Sequence, residues 1–90
     1  MKASRERVLP LLKTARGQID GIMRMVEDDR YCMDVSNQIM ATQSLLGKAN
    51  AEVLKAHLES CVRTALESGD AAEKDEKLAE IERLLDKLVR

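Results

Sequence analysis

The residues able to do chemistry in this chain are few. Both cysteines, Cys32 and Cys61, and the only histidine, His57, fall between Tyr31 and Arg63. Two thiolates and an imidazole make a soft donor set that suits Cu(I), Zn(II) or a related thiophilic ion and disfavours Mg or Ca. His57 and Cys61 are four positions apart, so on a helix they stack one turn apart on the same face and can grip one metal ion. That pair is half a site. Cys32 lies 29 residues upstream of Cys61, about 43 Å away along an unbroken helix. Either the helix breaks and returns Cys32 to the pair, or the third donor comes from another chain.

Zinc at a structural site normally takes four ligands, whereas three donors fit Cu(I), which accepts trigonal coordination. The bland alternative is that a free cysteine is just a small buried apolar residue. A Cys61–His57 nucleophile pair is the catalytic alternative, but an i,i+4 pair on a helix shows neither an oxyanion hole nor a third group to orient the base. No catalytic residues are therefore assigned, and the chain reads as a non-enzyme. Met23, Met25, Met33 and Met40 are soft donors too, yet their helical spacing fits core filling.

The elements that must position these donors read as helices. Aromatic residues are nearly absent, the apolar content is Leu, Ile, Val, Ala and Met, and one Pro and four Gly punctuate the chain, a composition that predicts an all-α fold. A first helix is expected over residues 9–28, after a frayed basic segment 1–7, with Pro10 in its first turn. Its seam is Val8, Leu11 or Leu12, Ala15, Ile19, Ile22 and Val26. Gly17 and Gly21 offer a flat spot for helix approach or simply lower the propensity.

A second helix is expected over 32–64, because Val35, Ile39, Thr42, Leu46, Ala49, Val53 and Ala56 or His57 hold one phase across Gly47. A hairpin at 47–50 would bring Cys32 back to Cys61, but the stretch has no Pro and no polar loop cluster. Gly69 marks a stop, Asp70 with Glu73 resembles a capping box, and a third helix over 71–89 carries the seam Leu78, Ile81, Leu85 and Leu88. Residues 1–90 thus read as one small domain whose thin core calls for oligomerisation.

No stretch reaches the roughly 18 to 20 apolar residues of a membrane span, and the N-terminus has no signal-peptide core; the expected location is cytoplasmic, with no membrane partner. The net charge of −1 argues against a generic nucleic-acid binder. Its distribution matters more. Residues 1–26 carry Lys2, Arg5, Arg7, Lys13, Arg16 and Arg24 against Glu6 and Asp20, and repeated across an oligomer they could build a positive field.

The residues now in place resemble the copper-sensitive operon repressor family, the CsoR/RcnR class of helical bacterial regulators. The matching segments are Gly17-Gln18, Gly21-Ile22, Arg24-Met25, Glu27-Asp28-Asp29-Arg30-Tyr31-Cys32, Asp34-Val35, Gln38-Ile39 and His57-Leu58-Glu59-Ser60-Cys61-Val62, within residues 5–66. The resemblance implies a dimeric antiparallel four-helix bundle, usually doubled to a homotetramer, with Cys32 of one subunit meeting His57 and Cys61 of the other. It implies Cu(I) as the metal, since the nickel and cobalt sensors carry an N-terminal His and replace the last Cys, formaldehyde sensors typically lack the last Cys, and persulfide sensors lack the His. It also implies that Tyr31 and a glutamate of the third helix, Glu80 or Glu76, hold the His57 ring from outside the metal's own ligands.

Two positions depart from the family pattern. Asp20 stands where a basic residue is common and Gln43 where an Arg is common, both associated with DNA contact in the family. The loss of positive charge there leaves DNA binding weak, unusually sequence-dependent, or rerouted through Arg5, Arg7, Lys13 and Arg16. The leading expectation is a Cu(I)-responsive repressor, bound to DNA when metal-free. The alternative is a cytosolic copper-buffering or thiol-redox and persulfide-sensing protein with no DNA role.

Overall fold

The computed structural model describes residues 1–67 and 69–89, without the side chains of residues 88 and 89; Ser68, Arg90 and the Leu88 position of the third-helix seam lie outside the described residues. The described residues form three helices: α1 (Arg5–Glu27), α2 (Cys32–Glu67) and α3 (Ala71–Val89). The all-α expectation holds, with one element longer than expected at its start. α1 begins at Arg5, not at residue 9, and carries Pro10 inside it. Pro10 lacks only the N–H that would have bonded the Glu6 carbonyl, and Val8, buried just before it, rewards keeping residues 5–9 helical. Ser4, of the residue class that favours N-caps, immediately precedes the first turn.

The chain folds as two compact units, one of residues 5–50 and the other of residues 1–4 with 51–90. In the first, α1 ends in a Schellman turn: the Arg30 N–H reaches the Met25 carbonyl at 3.0 Å and the Asp29 N–H the Val26 carbonyl at 3.1 Å. Asp29 takes the left-handed conformation this requires, at φ 51°, a place usually filled by Gly; Asp and Asn are the side chains that tolerate it best. Tyr31 then opens α2, its carbonyl accepting from the N–H groups of Asp34 and Val35. The turn folds α1 back along α2, where the Thr42 hydroxyl, buried, donates to Gln18 Oε1 at 2.8 Å.

α2 runs through Gly47 without a break, so the hairpin alternative is excluded. Nothing lies within 4 Å of where a Cβ would stand on Gly17 or Gly47; no neighbouring backbone uses the space these glycines leave, and in this chain they act only on propensity. In the second unit, Asp70 caps α3 as expected: its Oδ1 accepts from the Ala72 N–H at 3.0 Å and its carbonyl from the Lys74 N–H at 3.1 Å. α2 ends at Glu67, one turn later than expected, and Gly69 stays out of the left-handed region.

The core is thin. Its buried apolar residues are Ala3, Val8, Ala15, Ala49 and Cys61, and part of each expected seam faces outward. Ile19, Val26, Ile39, Leu46, Leu78 and Leu85 are all more than two-fifths exposed, and Met23, Met33 and Met40 more than half. These methionines therefore fill no core within the chain itself. The seams have the helical phase the sequence predicted, but three helices offer each stripe too few partners to cover it.

Candidate metal centre

The centre lies within the second unit. The α2 register places His57 and Cys61 one turn apart, and α3 supplies Glu80 between them. Cys61 is buried while the His57 side chain is 47% exposed. This is a donor pair with one foot in the core and one at the surface. His57 Nε2 stands 2.6 Å from Glu80 Oε1, and Lys77 Nζ is 3.7 Å from Glu80 Oε2, one turn earlier on α3. Each of His57, Cys61 and Glu80 offers one ligand atom, and these atoms lie within 4.8 Å of one another.

The electrostatics assign the protons. Glu80 is held below the usual carboxylate range, first by its hydrogen bond to His57, which burial opposes as the next largest effect, and then by the hydrogen bond to Cys61 and the charge of Lys77. An ionised carboxylate only accepts, so Nε2 is the donating nitrogen and, in the neutral ring, Nδ1 keeps its lone pair. Cys61 is pushed up, chiefly by burial and then by the Glu80 charge and hydrogen bond, with Lys77 opposing. The resting state is thus a protonated Cys61 thiol sharing Glu80 with the imidazole N–H. Lys77 adds little, because an exposed i,i+3 ion pair is weak.

From residue 4 to residue 87 the chain matches the family described as metal-sensitive transcriptional repressor. The chain belongs to the metal-sensitive transcriptional repressor family. Among the relatives of this repressor is the copper-sensing transcriptional repressor CsoR of Mycobacterium tuberculosis (strain ATCC 25618 / H37Rv), 45% identical over 86 residues, which are 96% of this chain and 67% of that protein. The copper-sensing transcriptional repressor RicR of the same strain is 44% identical over 80 residues, 88% of this chain and 81% of its own. The CsoR protein of Bacillus subtilis (strain 168) is 37% identical over 82 residues, 89% and 81% of the two chains. No solved structure matches. Transcriptional repression is not an enzymatic activity, and neither the family nor these relatives point to the alternative of a protein without a DNA role.

Of the residues singled out in this repressor's sequence, the structure brings together His57, Cys61 and Glu80. Of the two glutamates, Glu80 stands 2.6 Å from the His57 ring, while Glu76, one turn earlier, is exposed. Tyr31 and Cys32 are exposed, belong to the first unit and are not in the metal-capable cluster. Arg5, Arg7, Lys13 and Arg16 are exposed on α1, as are Asp20 on α1 and Gln43 on α2. Lys77 was missed by sequence reasoning; its i,i+3 spacing to Glu80 was the available signal. Among the described residues no helix is long and apolar enough to cross a membrane.

Proposed function

We propose that this chain is a copper(I)-responsive transcriptional repressor that binds operator DNA in its metal-free form and leaves it when Cu(I) is bound. The observation that carries the proposal is the Glu80 contact to His57 Nε2 beside Cys61: it leaves a nitrogen lone pair and a sulfur on one face of α2, the two soft donors Cu(I) takes. Cys32 is the third, contributed by a second subunit, since α2 is unbroken over the 29 positions that separate the cysteines. Bound there, Cu(I) supplies a soft centre joining donors of two chains. This chain's own residues do the rest. Glu80 fixes the ring's tautomer and orientation, Cys61 gives up its thiol proton, and Glu80 on α3 is the group that carries the state of His57 into a second helix. The names of the relatives, copper-sensing repressors, support the choice of metal.

Self-association into a homodimer and then a homotetramer follows from the uncovered seams. The chain exposes 6963 Å², whereas a compact monomer of this mass would expose about 5,300 Å². The excess, about 1,700 Å² on each chain and so about 3,400 Å² for two, falls in the range of an obligate homodimer interface. Arg5, Arg7, Lys13 and Arg16, repeated by that symmetry, supply the phosphate contacts to operator DNA, and they do so without help from Asp20 or Gln43. Residues 1–90 act as one sensing domain in a cytoplasmic protein with no membrane partner. Titrating Cu(I) into a mixture of the protein and labelled promoter DNA, read by fluorescence anisotropy, tests the proposal: DNA affinity is expected to fall by about 5- to 150-fold, and an unchanged affinity with the metal site full would refute it.

A further inference from the structure

We propose that His57, Cys61 and Glu80 of a single chain form a binding site of their own for a borderline divalent cation, Zn(II) or Co(II), in which Glu80 is a direct ligand and Cys32 takes no part. The three ligand atoms already lie within 4.8 Å of one another. With Zn–N and Zn–O near 2.0–2.2 Å and Zn–S near 2.3 Å, neighbouring atoms of a tetrahedral site stand about 3.3 to 3.6 Å apart. The widest pair therefore closes by little more than about 1 Å, and the 2.6 Å contact of His57 with Glu80 opens by roughly 0.8 Å. Side-chain torsions alone cover both movements. His57 and Cys61 sit on one α2 turn and Glu80 on α3 of the same unit, so no second chain is required.

The donor set selects the class of ion. A carboxylate is a hard ligand that Cu(I) ignores and that Zn(II) and Co(II) accept. One thiolate and one carboxylate also balance a divalent charge, with water at the fourth position. On binding, the Cys61 S–H bond is replaced by a sulfur–metal bond and its proton passes to solvent, while the ring proton leaves Nε2 and Nδ1 takes one up from solvent, freeing the Nε2 lone pair for the metal; no oxidation state changes. Glu80 consequently has two stations. With a soft monovalent ion it stays hydrogen-bonded to the His57 ring; with a divalent ion it leaves the ring and enters the metal's own ligands. A divalent ion would thus occupy the pair without joining two subunits.

The inference goes beyond the copper proposal and does not depend on it, because it is read with Co(II) and Zn(II) in the absence of copper and DNA. Co(II) is titrated into the wild type, Cys32→Ala and Glu80→Gln proteins, following the thiolate-to-cobalt charge-transfer band and the ligand-field bands, and X-ray absorption of the Zn(II) protein counts sulfur neighbours. The wild type and Cys32→Ala are expected to bind Co(II) with the same spectrum and within about threefold in affinity, with one sulfur per Zn(II). Glu80→Gln is expected to lose more than about 100-fold, beyond the 10- to 100-fold of an outer partner, and to change its ligand-field bands. Circular dichroism verifies that the Glu80→Gln protein is folded before its binding is compared. Two sulfurs per Zn(II), loss of binding in Cys32→Ala, or an unaltered Co(II) spectrum in Glu80→Gln would each overturn the inference. A Cu(I) titration of the same proteins is the separate arm: failure of the wild type to bind Cu(I) would strike the copper proposal alone.

Discussion

Subunit sharing is the proposal that mixed dimers test most directly. A Cys32→Ala homodimer lacks the first donor at every site, and a His57→Ala/Cys61→Ala homodimer lacks the other two, so neither can bind Cu(I) with high affinity. Refolded together, the two variants assort into two kinds of homodimer and one mixed dimer, and random assortment makes about half of the dimers mixed, because an isologous interface treats both chains alike. In each mixed dimer the intact Cys32 of one chain faces the intact His57 and Cys61 of the other, giving one complete site where the wild type has two. The refolded mixture should therefore regain about one quarter of the wild-type Cu(I) capacity, and a purified mixed dimer about one half. The unbroken α2 makes this sharp, since an intrachain site would need a fold-back at Gly47 that the helix does not contain. An intrachain site gives no rescue at all, because every chain carries its own lesion. Competition with a chromogenic Cu(I) chelator reads the difference, and verified mixed dimers without high-affinity binding would refute a shared site.

Two further outcomes are expected. Because burial and Glu80 hold Cys61 protonated, Cu(I) binding must expel its proton at neutral pH, and affinity should fall by roughly tenfold per pH unit on account of Cys61 as the pH is lowered from about 8 to 6; a flat profile in chelator competition would mean that Cys61 is already ionised. The same shift has the opposite sense for folding: a pKa raised in the folded state contributes stability below the unfolded thiol range that is lost as pH rises through the folded value, whereas Glu80, held low, contributes stability that is lost as the solution is acidified through its folded value. Finally, Asp29→Gly should stabilise the protein by about 0.5 to 1 kcal/mol, since it removes the Cβ from a left-handed residue; urea denaturation reads this, and a loss of stability would show that the Asp29 side chain contributes more than its backbone conformation costs.

Much of this protein follows from short-range regularities. The spacing of His57 and Cys61, the heptad phase carried across Gly47 and the cap residue Asp70 are properties of single helices, whose hydrogen bonds close within four residues, so the sequence alone determined where the three helices lie, that the all-α class holds and which donors share a helical face. The start of α1 escaped, because Pro10 signals a first turn locally while the burial of Val8, a tertiary effect, draws the helix back to Arg5. The left-handed stop at Asp29 escaped as well, having no Gly to announce it. The partner of His57 could not be read either: Glu76 and Glu80 sit one turn apart on the same helix and are equivalent by periodicity. Only the packing of α3 against the later part of α2 put Glu80 on the ring and Lys77 behind it, because the distance between side chains on two helices depends on how the loop sets their axial offset, and a helical repeat carries no information about that.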